Sequence, residues 1–434
     1  MDEPQLAGDL LGPPRSAPAP RPGEPPERLR DNRDFLAVLV GQAISAVGDA
    51  VTVTAMPLLV YALTGSGAAM GVVAALETAP DLLLGLPAGA LADRWDRRRI
   101  MLVADFGRGL LTAAVPLAAL LGLPLMPVIL LVVAPINALR VLFLAGWTAS
   151  TPMLVGPRLV GPASSYFEAI FSLGFFIGPA VAGLLVGVIG APATLAVDAV
   201  SFLVSAASLT LVRRPLQAPG PRPRTDMLQE IRDGVRFLAG HPALRAAVGL
   251  WAALNIIPAV LVPAITVYVQ GDLGLGAVVV GLVVSAFGLG SVIGALIAAR
   301  LTTRIALGAM MVAGAVGQGA TLFITASLAQ PPILAVAAFL AGIASAQAAL
   351  GYVTLRATVT PNELLGRVGA ATRVVTVGLV PVGALVGGLA LDRFSGGGTL
   401  ALMGALLVAA ALLFSTSRAL RAAPRPAASG TMGA

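Results

Sequence analysis

Six carboxylates lie inside long apolar runs of this sequence: Asp49, Glu77, Asp81, Asp105, Glu168 and Asp198. Placing an ionised group at the centre of a bilayer costs about 2.5–3.5 kcal/mol on insertion scales, so such residues carry protons, balance cations or line a wet cavity. Glu77 and Asp81 are one helical turn apart on one face. A rise of about 1.5 Å per residue puts Asp49 and Glu77 at similar depth, roughly 21 to 23 Å from the same membrane edge. Carboxylates so placed could share a proton, which makes Asp49, Glu77 and Asp81 candidate proton carriers. The other reading for Glu77 and Asp81 is that they satisfy helix ends or neighbouring hydroxyls. Asp105, Arg108, Arg140 and Glu168 fall at a shallower level, roughly 8 to 12 Å. A salt-bridge network is expected there, with Asp105 fixed on Arg108 three residues away, and Asp198 is read as structural.

The elements that position these groups follow from composition. The chain has 434 residues, 57% hydrophobic and only 11% charged, with a mean hydropathy of +0.91. That leaves too little polar surface to coat a soluble globule. Apolar runs of about 20 residues, enough to cross roughly 30 Å of hydrocarbon as helix, are expected near 35–63, 68–92, 100–121, 124–147, 163–189 and 192–212. A second set falls near 246–269, 275–299, 305–328, 331–356, 368–391 and 397–415. The fold class is therefore all-α: a polytopic membrane protein of twelve transmembrane helices in two pseudo-symmetric six-helix halves. The expected domains are a cytoplasmic disordered tail over 1–34, an N-terminal half over 35–212, a cytoplasmic linker over 213–245, a C-terminal half over 246–415 and a cytoplasmic tail over 416–434. The tail contains the Pro-rich stretch from Pro13 to Pro26, which cannot bury a core, and no cleavable secretory signal is read in it.

All 28 basic residues are arginine. Twenty-four of them fall in the tails, the even-numbered loops and the residues edging those loops, and Arg393 alone lies in an odd-numbered loop. Both termini are expected in the cytoplasm. Arginines scattered among short loops form no continuous basic face for nucleic acid. Within the linker, Met227, Leu228, Ile231, Val235 and Leu238 recur at helical spacing, behind Thr225 and Asp226 as caps and before Gly240 as a stop. This helix is read as resting at the headgroups, and a clamp between the halves is the other reading. The halves share spaced elements: Gly89-Ala90-Leu91 recurs as Gly294-Ala295-Leu296, and Gly178 and Gly183 map onto Gly383 and Gly388. Duplication of this kind places a site between the halves.

Two motifs carry the sharpest signal. The first is Gly89-Ala-Leu-Ala-Asp93-Arg94-Trp-Asp96-Arg97-Arg98-Arg99, where small residues allow close helix approach and an acid sits among arginines. The second is Gly174-Phe-Phe-Ile-Gly178-Pro179-Ala-Val-Ala182-Gly183, where glycines share a helical face around a proline that removes one backbone hydrogen bond. The first resembles the loop signature of the major facilitator superfamily, and the second resembles its antiporter signature. Ser45-x-x-Gly48-Asp49, Leu63-Thr64-Gly65-Ser66, Gly234-x-Arg236-Phe237-Leu238 with His241-Pro242, and Gly366-Arg367-Val368 extend the likeness over residues 30 to 415, towards the branch of enterobactin and macrolide exporters. Asp96 stands where that family usually has glycine, and Ala182 also replaces a usual glycine.

The resemblance implies the major facilitator fold. It also implies a conformational latch at Gly89, Asp93, Arg94, Arg97 and Arg98, an exporter's antiporter motif at Gly174, Gly178, Pro179 and Gly183, and proton transfer involving Arg140. Since the first, fourth, seventh and tenth helices line the cavity in that superfamily, Gln42, Trp251, Asn255, Gln347 and Tyr352 are the expected substrate contacts. Few fixed polar groups among wide apolar faces suit a bulky amphipathic ligand. The expected function is proton-coupled export of amphipathic small molecules such as antibiotics, macrolide-like compounds or siderophores, by a monomer in the bacterial cytoplasmic membrane. Import of a small nutrient on the same fold is the alternative. No cysteine is present, the only histidine is His241, and no nucleophile, base or metal-ligand set converges. The chain is therefore read as no enzyme, with protons, the substrate and the bilayer as its partners and no cofactor or metal.

Overall fold

A computed structural model describes residues 28–217, 227–327 and 329–422. The Pro13–Pro26 stretch, the proposed caps Thr225 and Asp226, and most of both tails lie outside the described residues. Among those described the chain is helical and contains no strand. The first six membrane helices are α1 (Arg33–Thr64), α2 (Gly67–Arg94), α3 (Arg97–Leu120), α4 (Leu125–Val155), α5 (Val160–Ile189) and α6 (Ala191–Thr210). After α7 (Met227–Gly240) come α8 (Pro242–Thr266), α9 (Ala277–Leu301), α10 (Leu307–Ser327), α11 (Pro331–Val359), α12 (Leu365–Gly378), α13 (Val380–Ser415) and the short α14 (Arg418–Arg421).

Eleven stretches are long and apolar enough to cross a membrane, and the last of them runs 54 residues from Asn362 to Ser415. At about 1.5 Å per residue that stretch would be far longer than one bilayer. Ser395 breaks it, with φ 64 and ψ 177. The eleventh span is thus α12 with residues 380–394, the twelfth is 396–415, and the chain makes twelve crossings.

Local sequence sets the boundaries. Asn32, Ser66, Asp96 and His241 cap α1, α2, α3 and α8 by accepting the N–H of Phe35, Ala69, Arg99 and Leu244, which satisfies helix-end donors otherwise left open. Asp96, the departure from the resembled loop, is therefore the residue that starts α3. Gly65 closes α1 in the left-handed region at φ 62, where a side chain would be strained.

In the first half, α1 packs on α5 and α6, α3 on α4 and α6, and α2 on α4; in the second, α9 and α10 pack on α11, and α8 and α10 on α13. Two seams join the halves, α5 against α9 and α2 against α13. Linker helix α7 lies on α12: Gly234 lets its backbone meet Arg367 and Ala371, and Asp233 pairs with Arg367 at 3.0 Å. It is thus seated against α12 of the second half, because a glycine at the crossing removes the side chain that would hold the helices apart.

Candidate functional site

The seams are made of backbone. A Cβ on Gly183 would lie 2.7 Å from the Ala277 carbonyl oxygen and 3.1 Å from Gly281 Cα. One on Gly388 would lie 2.7 Å from the Gly67 carbonyl oxygen and 2.7 Å from Gly71 Cα. Their duplicated companions pack within each half, Gly178 on Ala50 of α1 and Gly383 on Ile256 of α8. Gly174 also abuts α1, with Ala46 O 2.8 Å from where a Cβ would sit. Pro179 is buried, and the next residue, Ala180, donates its N–H across the seam to Ser285 Oγ at 2.8 Å. Asp392, at the end of the eleventh span, accepts from the N–H of Gly67 at 2.5 Å, the N–H of Ala68 at 3.1 Å and Ser66 Oγ at 3.0 Å. A carboxylate from the second half thus caps the N-terminus of α2 in the first. The Gly183 and Gly388 contacts and the Asp392 cap lie toward the end opposite the arginine-rich loops, while Gly174 meets Ala46 near the middle of α5 and α1.

Toward the arginine-rich end lies a cavity of about 530 Å³ walled mainly by the first half, through Asp81, Gly85, Gly89 and Asp93 of α2 and Val141 and Thr148 of α4 among others, with Arg373 of α12 reaching it from the second half. Asp81 is held by Arg140 and lies 3.7 Å from Arg373, so one carboxylate spans two cations from different halves. Arg140 is drawn here rather than into a network with Asp105 and Glu168, because α4 continues to Val155, eight residues past the expected end at 147. At about 1.5 Å per residue this raises Arg140 by about 12 Å, to the level of Asp81. Glu168 is exposed on α5.

Asp49 faces a different neighbour from the one expected. Arg108 reaches it at 2.5 Å and Asp105 at 3.7 Å, and its guanidinium lies 3.9 Å from the centre of the Phe202 ring. Ser205 donates to Asp105 at 2.5 Å and accepts from Gln42 at 2.7 Å. Asp198 accepts from Thr52 at 2.5 Å and from Ser201 at 3.0 Å. Asp49 therefore belongs to a polar cluster of α1, α3 and α6, apart from Glu77 and Asp81. Glu77 instead borders a smaller cavity of about 50 Å³ with Val53, Met70, Pro258 and Val262 among others.

The loop motif is built into the first half. Arg97, almost fully buried, donates to the carbonyl oxygens of Ala92, Ala149 and Leu216 and to Asp93 at 3.4 Å. Arg98 donates to the carbonyls of Leu209 and Thr210 at the end of α6, where cations meet the negative end of the helix dipole. Arg94 is exposed, and Gly89 has open space where a Cβ would be.

Of the expected substrate contacts, Gln42 of α1 is buried against α6 and turned away from the cavity, because its amide donates to Ser205 Oγ. Tyr352 is buried and stacks on Trp251, with ring centres 4.9 Å apart. Asn255 bonds to the Trp251 carbonyl at 2.9 Å, and Gln347 to that of Gly294 at 3.4 Å. Trp251, Asn255 and Gln347 are half-buried. Sequence reasoning missed Arg373 and the cap made by Asp392; a lone arginine inside an apolar run is the signal that would have found the former.

Similar proteins place this arrangement. The multidrug efflux pump Tap of Mycolicibacterium fortuitum is 29% identical over 375 residues, 82% of this chain and 89% of that protein. The enterobactin exporter EntS of Escherichia coli O1:K1 / APEC is 28% identical over 365 residues, covering 83% and 86%. Among solved structures, the nucleoside transporter NupG superposes with a TM-score of 0.72 at 14% identity, over 88% of this chain and 98% of that one. A bacterial homologue of the lysosomal transporter Spinster, inward-facing and unoccupied, gives 0.69 at 14% identity over 91% and 97%. These superpositions establish the fold. With the family profile described as transmembrane secretion effector matching residues 29–428, almost the whole length on which the twelve helices and both glycine seams are built, the protein belongs to that family of major facilitator transporters.

Proposed function

We propose that this protein is a proton-driven exporter of amphipathic small molecules, drugs or siderophores among them, that works by exposing one cavity alternately to each side of the membrane. The observation that carries the reading is the cavity itself, bordered by carboxylates at the arginine-rich end, with the backbone seams joining the halves toward the other end. The names of its relatives, an efflux pump and an exporter, supply the direction. The arginine bias assigns the cavity's end of the protein and both termini to the cytoplasm of a bacterial cell, the side from which an exporter takes its substrate. The domain borders at 212 and 245 divide two halves that rock about the seams, and a single chain contains every part the cycle needs.

Proton coupling is assigned to Asp49, Glu77 and Asp81, with Arg140 and Arg108 as the cations that compete with protons for them. Neutralising Asp49 frees Arg108, and neutralising Asp81 frees Arg140 and Arg373, so each titration changes a contact between helices. The loop residues Asp93 and Arg97 act on the same cycle by holding α2, α3 and α4 as one body. Purified protein in liposomes should expel a fluorescent amphipathic substrate when a pH difference is imposed, and Asn at Asp49 should abolish that movement while substrate still binds. Gradient-driven efflux retained by Asp49→Asn would remove that residue from the coupling path.

A further inference from the structure

Between α8 and the eleventh and twelfth spans the second half carries an apolar groove of about 330 Å³. Its origin lies in what meets the glycines of the eleventh span. In the first half Gly174 and Gly178 face the backbone of Ala46 and Ala50, so α5 lies flush on α1. In the second, Gly383 faces the side chain of Ile256 and Gly387 that of Val260. These branched side chains stand between the helices and leave a furrow beside them. Every residue lining it is apolar except Thr399, whose hydroxyl donates to the Ser395 carbonyl at 2.7 Å. Val382, Val386, Leu402 and Leu406 of its wall are exposed, so the groove opens sideways into the bilayer. Along the eleventh span it runs from Leu379 to Ala390, roughly 16 Å at about 1.5 Å per residue, and Ala390 lies about 6 Å from the end of the span at Phe394. The groove therefore occupies the leaflet opposite the arginine-rich loops, about half of the 30 Å or so of hydrocarbon.

A cation stands at its mouth. Leu379, Val382, Val386, Ala390 and Arg393 recur at spacings of three and four and share one helical face. Arg393 is exposed, and no ion pair or hydrogen bond reaches it among the described residues. The acids of that end face elsewhere: Asp392 caps α2, and Asp272 accepts from the Gly397 N–H at 2.8 Å. As the one arginine in an odd-numbered loop, Arg393 also runs against the bias that keeps cations on the other side. At headgroup level the acceptor within reach of such a guanidinium is a lipid phosphate. Below it, an empty furrow in hydrocarbon would forfeit dispersion contacts along both walls. A helix, about 10–12 Å across, would need more than about 1,000 Å³ over that length, so a span of a second copy does not fit and a single hydrocarbon chain does. We infer that the groove holds one acyl chain of a phospholipid from this leaflet, with the lipid phosphate on Arg393. The site shares no lining residue with the cavity at the arginine-rich end, and it stands whatever the direction of transport.

The matched probes are a phosphatidylglycerol with a photoreactive diazirine midway along one acyl chain, and the diacylglycerol with the same chains and no phosphate. Each is added as a minor component to phosphatidylcholine nanodiscs holding the full chain, and the labelled residues are mapped by mass spectrometry. Phosphatidylglycerol should label Val382, Val386, Leu402 and Leu406 at least about fivefold more than Leu131 and Leu184, which are 75% and 57% exposed in the first half. The diacylglycerol should show little of this enrichment. Arg393→Gln should lower the enrichment with phosphatidylglycerol by about fivefold and leave the diacylglycerol signal as it was. Ala390→Phe, which fills the groove below the cation, should lower it as well; should that variant fail to fold, the exposed Arg393→Gln carries the comparison. Labelling that follows exposure around the whole protein means ordinary annular lipid only and overturns the inference. So does equal enrichment by the two probes, since the phosphate then contributes nothing. Displacement of the lipid label by dansylcadaverine, an amphipathic amine, while phosphatidylglycerol added in the same amount leaves it in place would give the groove to a transported substrate instead, and that also overturns it.

Discussion

Removal of the Asp392 carboxylate should tip the protein toward opening at the end that is closed in this structure. Three donors at the start of α2, the N–H groups of Gly67 and Ala68 and the hydroxyl of Ser66, converge on this one side chain from the other half. A hydrogen bond to a charged acceptor contributes about 1.5–3 kcal/mol where water is excluded, and a carboxylate at a helix N-terminus about 0.3–1 kcal/mol. Asp392 is exposed, and solvent both screens it and replaces its partners. About 1–2 kcal/mol for the whole contact is the reasonable figure, a shift of about 5- to 30-fold between closed and open forms. The chain contains no cysteine, so Ile189→Cys and Val278→Cys create a clean pair of spin-label sites across the α5–α9 seam near that end. Pulsed dipolar spectroscopy in nanodiscs should show the longer-distance population growing by that factor in Asp392→Ala. Asp392→Asn, which keeps an acceptor oxygen but loses the charge, should give a smaller change. Distance distributions in Asp392→Ala that superimpose on those of the parent would refute the idea that this cap holds the end shut.

Gly183→Leu should cut efflux by about tenfold or more, because the new Cβ meets the Ala277 carbonyl, a backbone atom that no rotamer change can move, and overpacking of this kind costs on the order of 1–3 kcal/mol; normal flux in liposomes would show that the seam is looser than the structure has it. Double-mutant cycles on unfolding should couple Asp81 to Arg140 more strongly than to Arg373, whose guanidinium stands 3.7 Å away on a side chain 57% exposed and so is expected to contribute about 1 kcal/mol or less; the opposite order would reverse the assignment of Asp81 to its own half. Arg97→Ala should lower the unfolding midpoint by removing the donor shared by three carbonyls, at a cost on the order of 3 kcal/mol. Arg97→Lys should not restore it, since one ammonium cannot reach acceptors on three elements; recovery with lysine would mean that charge alone matters there.

The spans were legible because hydrocarbon thickness imposes a length on every apolar run, and most of the helix ends fall within a few residues of those read from the sequence. The exception is instructive. Residues after Trp147 look like a loop because Thr148, Ser150 and Thr151 are polar and Pro152 follows. In the structure those hydroxyls bond back to the carbonyls of Leu144, Gly146 and Trp147 one turn earlier, so their polarity is absorbed inside α4 and the helix runs on. That one extension moved Arg140 away from Asp105 and toward Asp81. Depth along a helix was thus readable, but rotation about it was not. Asp49 and Glu77 share a level yet face different neighbours, and Gln42 has the right helix for the cavity while Ser205 of α6 holds it on the other side. Pairings between distant spans, such as Asp392 with the start of α2, leave no local trace in the sequence at all.

Where the halves touch, at Gly183 with Gly281 and at Gly388 with Gly71, chain meets chain with almost nothing projecting between. Such a surface behaves as a plain bearing and not as a gear: no side chains must withdraw from sockets before the bodies turn. Resistance to turning is then concentrated in a few polar contacts, the Ala180 to Ser285 hydrogen bond and the Asp392 cap foremost. A protein arranged in this way can be quickened or slowed by altering single contacts at the edge of the seam, while its glycine faces tolerate no bulk at all.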